Sequence, residues 1–241
     1  MAECARLESG YGGNSIEGSN PSLSARNYND CMKKRRVIIA HGWNDGSTNQ
    51  WLNWLARELT ARGYEVVQPV FSTVHVPNPQ KWLAELAAAA GELDQQTVIV
   101  GYSLGVPTVL RYLHDYQPSV RIAGLVLVAG FGDGVGGRPA ALFAPPLDWE
   151  RLQRRSRSRI CIYADNDYLV APRRSQELAR NLAAREILVV GGGHLIGMPI
   201  WPGSLKQFPA VLTALEDCYK WSASRWWYDV RLWMKLHLSK N

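Results

Sequence analysis

A serine, an aspartate and a histidine stand in this chain where nucleophilic chemistry would need them. Ser103 lies in Gly101-Tyr102-Ser103-Leu104-Gly105, after the apolar run Thr97-Val98-Ile99-Val100 and before a helix-like segment, Val106–Tyr116. Strand, G-x-S-x-G and helix together make the context of a nucleophile elbow, a sharp turn that lifts the serine Oγ clear of the sheet. Side chains two residues either side would collide with strand and helix, so Gly101 and Gly105 relieve the crowding. Pro107 fits the first turn of a helix, where no N–H is needed.

A serine hydroxyl is a poor nucleophile near neutral pH and needs a base, which in turn needs an orienting acid. Downstream, the short apolar strand Arg159–Tyr163 leads into Asp165-Asn166-Asp167, and the strand Glu186–Val190 leads into Gly191-Gly192-Gly193-His194. Acid and then histidine thus follow the carboxyl ends of strands, the edge of a parallel sheet where ligands bind. His194 is the candidate base. Asp167, just before the next helix, is favoured as the acid; Asp165 competes, and the losing aspartate would be a turn or cap residue. An oxyanion needs donors. The N–H of Leu104 is one, and the N–H of Trp43 (or Asn44), in the loop His41-Gly42-Trp43 after the strand Val37–Ala40, is the other. His41 precedes the serine and is expected to brace this loop rather than act as the base.

The elements that must position these residues alternate. Strands are expected at Val37–Ala40, Glu65–Val70, Thr97–Val100, Gly124–Val128, Arg159–Tyr163 and Glu186–Val190, mostly as continuous apolar runs suited to a sheet buried on both faces. Helices are expected at Asn49–Arg62, Pro79–Gly91, Val106–Tyr116, Ala171–Ala184 and Leu205–Trp221. The pattern predicts an α/β fold, a doubly wound and mostly parallel sheet of about six strands with helices on both faces. The chain has 241 residues, 46% of them hydrophobic, enough for one sizeable core.

With those residues in place, the chain resembles the small serine-hydrolase family of retinoblastoma-binding protein 9 and its bacterial relatives, in the α/β-hydrolase superfamily. The resemblance rests on His41-Gly42-Trp43, Trp51-Leu52-Asn53-Trp54-Leu55, Gly101–Gly105, Asp167-Tyr168-Leu169-Val170-Ala171-Pro172, Gly193-His194 and Trp201-Pro202-Gly203, and covers about Arg36 to Tyr219. It implies Ser103 as nucleophile, Asp167 as acid and His194 as base, in a compact hydrolase with a minimal lid. Tyr102 stands where relatives often have histidine, and Leu195–Ile200 is apolar where a polar segment commonly follows the histidine. Trp43, Tyr102, Leu195 and Trp201 are expected to wall the substrate pocket, with Phe143, Leu147 and Trp149 in the connection Phe131–Asp148 arching over it as a small cap.

The expected chemistry is acyl transfer from a small carboxylic ester, or an amide, to water, with no metal or organic cofactor. The same residues would support transfer to another acceptor or perhydrolysis. From a different class, the rival is a binding module on a hydrolase scaffold. Gly132-Asp133-Gly134-Val135-Gly136-Gly137 fits a dinucleotide fingerprint, but Arg138-Pro139 and Pro145-Pro146 leave no long helix to receive a pyrophosphate.

Residues 1–33, rich in Gly, Ser and Asn, read as a disordered leader; 34–220 as the hydrolase domain; and 221–241 as a Trp-rich basic extension. In a helix, Trp226, Trp227, Val230, Trp233, Met234 and His237 would share one face, suited to packing on the domain or on a second subunit and less to a membrane surface. Monomer and homodimer both remain open. The net charge of +6 gathers in Lys33–Arg36 and Arg151–Arg159 without a nucleic-acid-binding module around it. Cys4, Cys31, Cys161 and Cys218 lack metal-ligand spacing and the start lacks a signal-peptide order, so a reduced, cytoplasmic protein is expected.

Overall fold

A computed structural model describes residues 34–43, 49–73, 75–116, 119–132, 145–197 and 204–220. Six strands form one parallel sheet: β1 Arg36–Ala40, β2 Glu65–Val67, β3 Thr97–Tyr102, β4 Ile122–Val128, β5 Ser156–Ala164 and β6 Arg185–Val189. Their spatial order is β2-β1-β3-β4-β5-β6, with every neighbouring pair parallel. Chain direction across the sheet therefore reverses between β1 and β3, where the loops diverge and leave a crevice at the carboxyl edge.

Among the described residues, six helices cover the sheet: α1 Gln50–Ala61, α2 Pro79–Ala90, α3 Gly105–Asp115, α4 Trp149–Arg155, α5 Pro172–Leu182 and α6, residues 209–220. Alternate strand residues feed two buried clusters. Ile38, Ile99, Leu125 and Cys161 pack with Trp82, Leu86, Leu110 and Leu178 of the helices on one face. Val37, Val100, Val126 and Ile162 pack with Trp51, Leu55, Val211 and Leu215 of α1 and α6 on the other. This two-sided burial is why the strands read as unbroken apolar runs. Each fully buried aliphatic side chain supplies about 1.5–3 kcal/mol of transfer free energy. Asn49 and Asn78 cap α1 and α2, accepting the N–H of Leu52 and of Lys81 at 3.1 and 3.0 Å.

Several element bounds differ from expectation: α6 begins at residue 209 rather than Leu205, and β4 at Ile122 rather than Gly124. β2 stops at Val67, and Val70, expected inside it, is 87% exposed in the loop beyond. β5 begins at Ser156, because its polar start pairs with β4 from Ile122 onward. α4 has too little apolar sequence to show a helical period, burying only Leu152 and Arg155, and it starts where Asp148 accepts the Arg151 N–H at 2.9 Å. Leu147 and Trp149, expected over the pocket, instead pack on the first cluster. Phe143, Trp201, the leader and the C-terminal extension lie outside the described residues.

Candidate functional site

Ser103 follows β3 on a turn with φ of +50°, a left-handed conformation that a non-glycine residue adopts only when its surroundings hold it. They do so by two backbone bonds: the Ser103 N–H donates to the Val128 carbonyl at 2.9 Å, and its carbonyl accepts the Val106 N–H at 3.0 Å. A Cβ on Gly105 would meet the carbonyl oxygens of Ala40 and, at 2.6 Å, of His41; one on Gly101 would press on Val106 Cα at 3.1 Å. The two glycines let α3 start hard against the end of β1.

Asp167 sits in the turn after β5 and His194 in the glycine loop after β6. The structure brings Asp167, not Asp165, to the histidine: His194 Nδ1 lies 2.8 and 3.0 Å from the two carboxylate oxygens. With the proton on Nδ1 donated to Asp167, Nε2 is left to accept, and it lies 2.9 Å from Ser103 Oγ. Asp167 and His194 are 6% and 5% exposed. Asp167 Oδ1 also accepts the N–H of Leu169 and of Val170, both at 2.9 Å, which fixes the carboxylate in its own turn. Asp165 instead accepts the Gly191 N–H at 2.7 Å. Such a row can pass the serine proton to the imidazole while the carboxylate stabilises the cation that results.

Two expected pocket walls lie lower. Tyr102 is 2% exposed and its hydroxyl donates to the His194 carbonyl at 3.0 Å, so it supports the histidine from beneath. Leu195 is fully buried, at φ +53°, with its carbonyl accepting the Trp51 indole N–H at 2.9 Å. Trp43 is 43% exposed, and its indole N–H donates to the His75 carbonyl at 3.0 Å. His41 is buried against Phe71 and Trp82, with ring centroids 4.8 and 5.8 Å away. Its Nδ1 donates to the Gly42 carbonyl at 2.8 Å. In a trans peptide the next N–H, that of Trp43, points the opposite way. The Leu104 N–H has no acceptor among the described residues.

Sequence reasoning missed the polar supports of the histidine loop. Besides Tyr102 and Trp51, the Gly197 carbonyl accepts the Gln50 N–H at 2.6 Å. Each is one polar atom reaching a distant backbone group, which no spacing rule announces.

An open parallel sheet with a serine on the tight turn after β3, and a histidine and an aspartate on the loops after β6 and β5, defines an α/β-hydrolase. Within that class the chain belongs to the serine hydrolase family, which matches residues 37–210. The hydrolase YdeN of Bacillus subtilis is 28% identical over 169 residues, spanning 67% of this chain and 86% of that protein. The solved structure of the ydeN gene product superposes with a TM-score of 0.69 at 26% identity, covering 78% of this chain and all of that one. The rat serine hydrolase RBBP9 is 22% identical over 165 residues, again 67% of this chain and 86% of the relative.

Proposed function

We propose that the chain hydrolyses carboxylic esters with apolar acyl groups through a covalent acyl-enzyme. Ser103 Oγ attacks the ester carbonyl carbon while His194 Nε2 takes its proton. Asp167 holds the Nδ1 proton and stabilises the imidazolium. The N–H groups of Leu104 and Trp43 receive the oxyanion, the latter aimed by the His41 bond to the Gly42 carbonyl. Collapse of the tetrahedral adduct expels the alkoxide, which takes the proton from His194. Water, deprotonated by the same nitrogen, then attacks the acyl-enzyme and releases the acid and Ser103. The observation that carries this reading is the unbroken row from Ser103 Oγ through His194 to Asp167, with both junctions within 3.0 Å.

The substrate class is read from the rim. Trp43, Tyr168 and Leu169 are large exposed apolar residues on the loops after β1 and β5, at the carboxyl side of the sheet where Ser103 lies. An apolar edge of this kind accommodates an acyl chain better than a charged one. The test is fluorophosphonate labelling together with hydrolysis of p-nitrophenyl esters from acetate to octanoate, on wild type and Ser103→Ala. Wild type should label and turn over, with kcat/KM rising from acetate towards the longer chains, and Ser103→Ala should do neither. A folded wild type that neither labels nor turns over any ester would overturn the reading in favour of a binding scaffold. Equal activity in Ser103→Ala would remove the serine from its role.

A further inference from the structure

Asp165, Asn166 and Asp167 follow one another at the carboxyl end of β5, and each reaches the loop that carries His194. Asp165 Oδ1 accepts the N–H of Gly191 and Asn166 Oδ1 the N–H of Gly193, both at 2.7 Å, while Asp167 meets the imidazole. The loop needs such anchors. Gly191 and Gly193 take φ of +71° and +57°, and glycine is the residue with the most conformational freedom to lose. His194 follows Gly193 directly. With the Gly193 N–H held, only φ and ψ of Gly193 remain as soft torsions between that anchor and the histidine peptide. At the far end the Tyr102 hydroxyl closes the span by donating to the His194 carbonyl.

We propose that Asn166 is a positioning residue for His194: its side-chain carbonyl ties the Gly193 N–H to the turn that carries Asp167, and so sets where the imidazole stands between Asp167 and Ser103. The inference rests on the roles of Ser103, His194 and Asp167 given above. The acid and the anchor of the base are adjacent residues, so the distance between carboxylate and imidazole is spanned by one short lever. Asparagine suits position 166 because its neutral oxygen accepts the bond without adding a third negative charge between Asp165 and Asp167. Displacement of a base by a fraction of an ångström to an ångström costs rate rather than binding, because substrate is held by other groups.

The experiment compares Asn166→Ala and Asn166→Asp with wild type in the full-length protein. Asn166 is exposed, so truncation leaves the core untouched, and thermal melting verifies the fold. Two quantities are read: kcat and KM for p-nitrophenyl esters, and the downfield proton resonance of His194 Nδ1, which needs no turnover. In Asn166→Ala, kcat should fall by about tenfold or more with KM little changed, and the resonance should broaden or vanish. Asn166→Asp keeps an acceptor oxygen in the same place and should restore the resonance, while its added charge beside Asp167 leaves kcat below wild type. A wild-type resonance and wild-type kcat in Asn166→Ala would overturn the proposal, as would an Asn166→Asp variant whose resonance is no better than that of Asn166→Ala. If wild type itself shows no esterase activity, the functional reading fails, and the resonance alone still decides whether Asn166 positions the imidazole.

Discussion

Burial pushes the His41 imidazole below its ordinary value of about 6.5, since the ring loses hydration against Phe71 and Trp82. The bond to the Gly42 carbonyl and the charge of Glu85 oppose this only in part. The unfolded chain therefore binds a proton at His41 more readily than the folded one. Stability from this residue is full above pH 6.5 and falls as pH drops below it, levelling off once the folded form is protonated too. Urea midpoints measured from pH 7.5 to pH 5 should decline, and His41→Gln should flatten the decline. An unchanged slope would remove His41 as its source. The two aspartates divide just as sharply. Asp167→Asn removes the charge that stabilises the imidazolium and lets an amide N–H face Nδ1, favouring the wrong tautomer, and should lower kcat on the order of 10⁴-fold. Asp165→Asn keeps an oxygen for the Gly191 N–H and should lose less than tenfold. Steady-state kinetics of the two variants checks both, and a larger loss for Asp165→Asn would reverse the assignment. Composition alone could not separate these carboxylates, because both follow β5 within three residues; the register of the turn separates them.

At the scale of elements, the decisive junction is where α3 meets β1. Gly105→Ala would drive a methyl into the carbonyl oxygens of Ala40 and His41, which are backbone and cannot rotate away. The helix must then shift, carrying Leu104 and the turn of Ser103 with it. Overpacking of this kind costs about 1–3 kcal/mol, so guanidinium unfolding should show that loss together with slower fluorophosphonate labelling. Wild-type stability in Gly105→Ala would mean the helix start yields more easily than the packing implies. This junction is legible in the sequence, since G-x-S-x-G between strand and helix states its own geometry. The strand ends and α4 are not. β5 is held in its first four residues by hydrogen bonds to β4 and not by apolar side chains, and hydropathy cannot see a ladder. α4 is seven residues with one buried leucine and a side-chain cap, too short for a period to emerge. Tyr102 and Asn166 were hidden for a similar reason: their contacts join residues 92 and 27 apart through single polar atoms.

Across the whole molecule, one sheet serves two cores, and a buried thiol reports on each. Cys161 on β5 belongs to the cluster beneath α2 to α5, and Cys218 on α6 belongs to the cluster on the opposite face, set against Gly124 of β4. Desolvation pushes the first thiol up to about 12 and the second up to about 11, so neither holds an appreciable thiolate near neutral pH in the folded state. The faces are not independent, because successive residues of each central strand alternate between them: Val37 and Ile39 on one side, Ile38 and Ala40 on the other. Stripping the helices from either face would expose half of every strand and strand the remaining half without support. The two layers should consequently unfold as one unit. Pulsed iodoacetamide labelling along a urea series, read by peptide mapping, should leave Cys161 and Cys218 unmodified at low urea and modify both with the same midpoint. Earlier modification of Cys218 would show that α6 detaches while the sheet persists, and that the packing of α6 on β4 is too weak to couple it to the strands carrying the site.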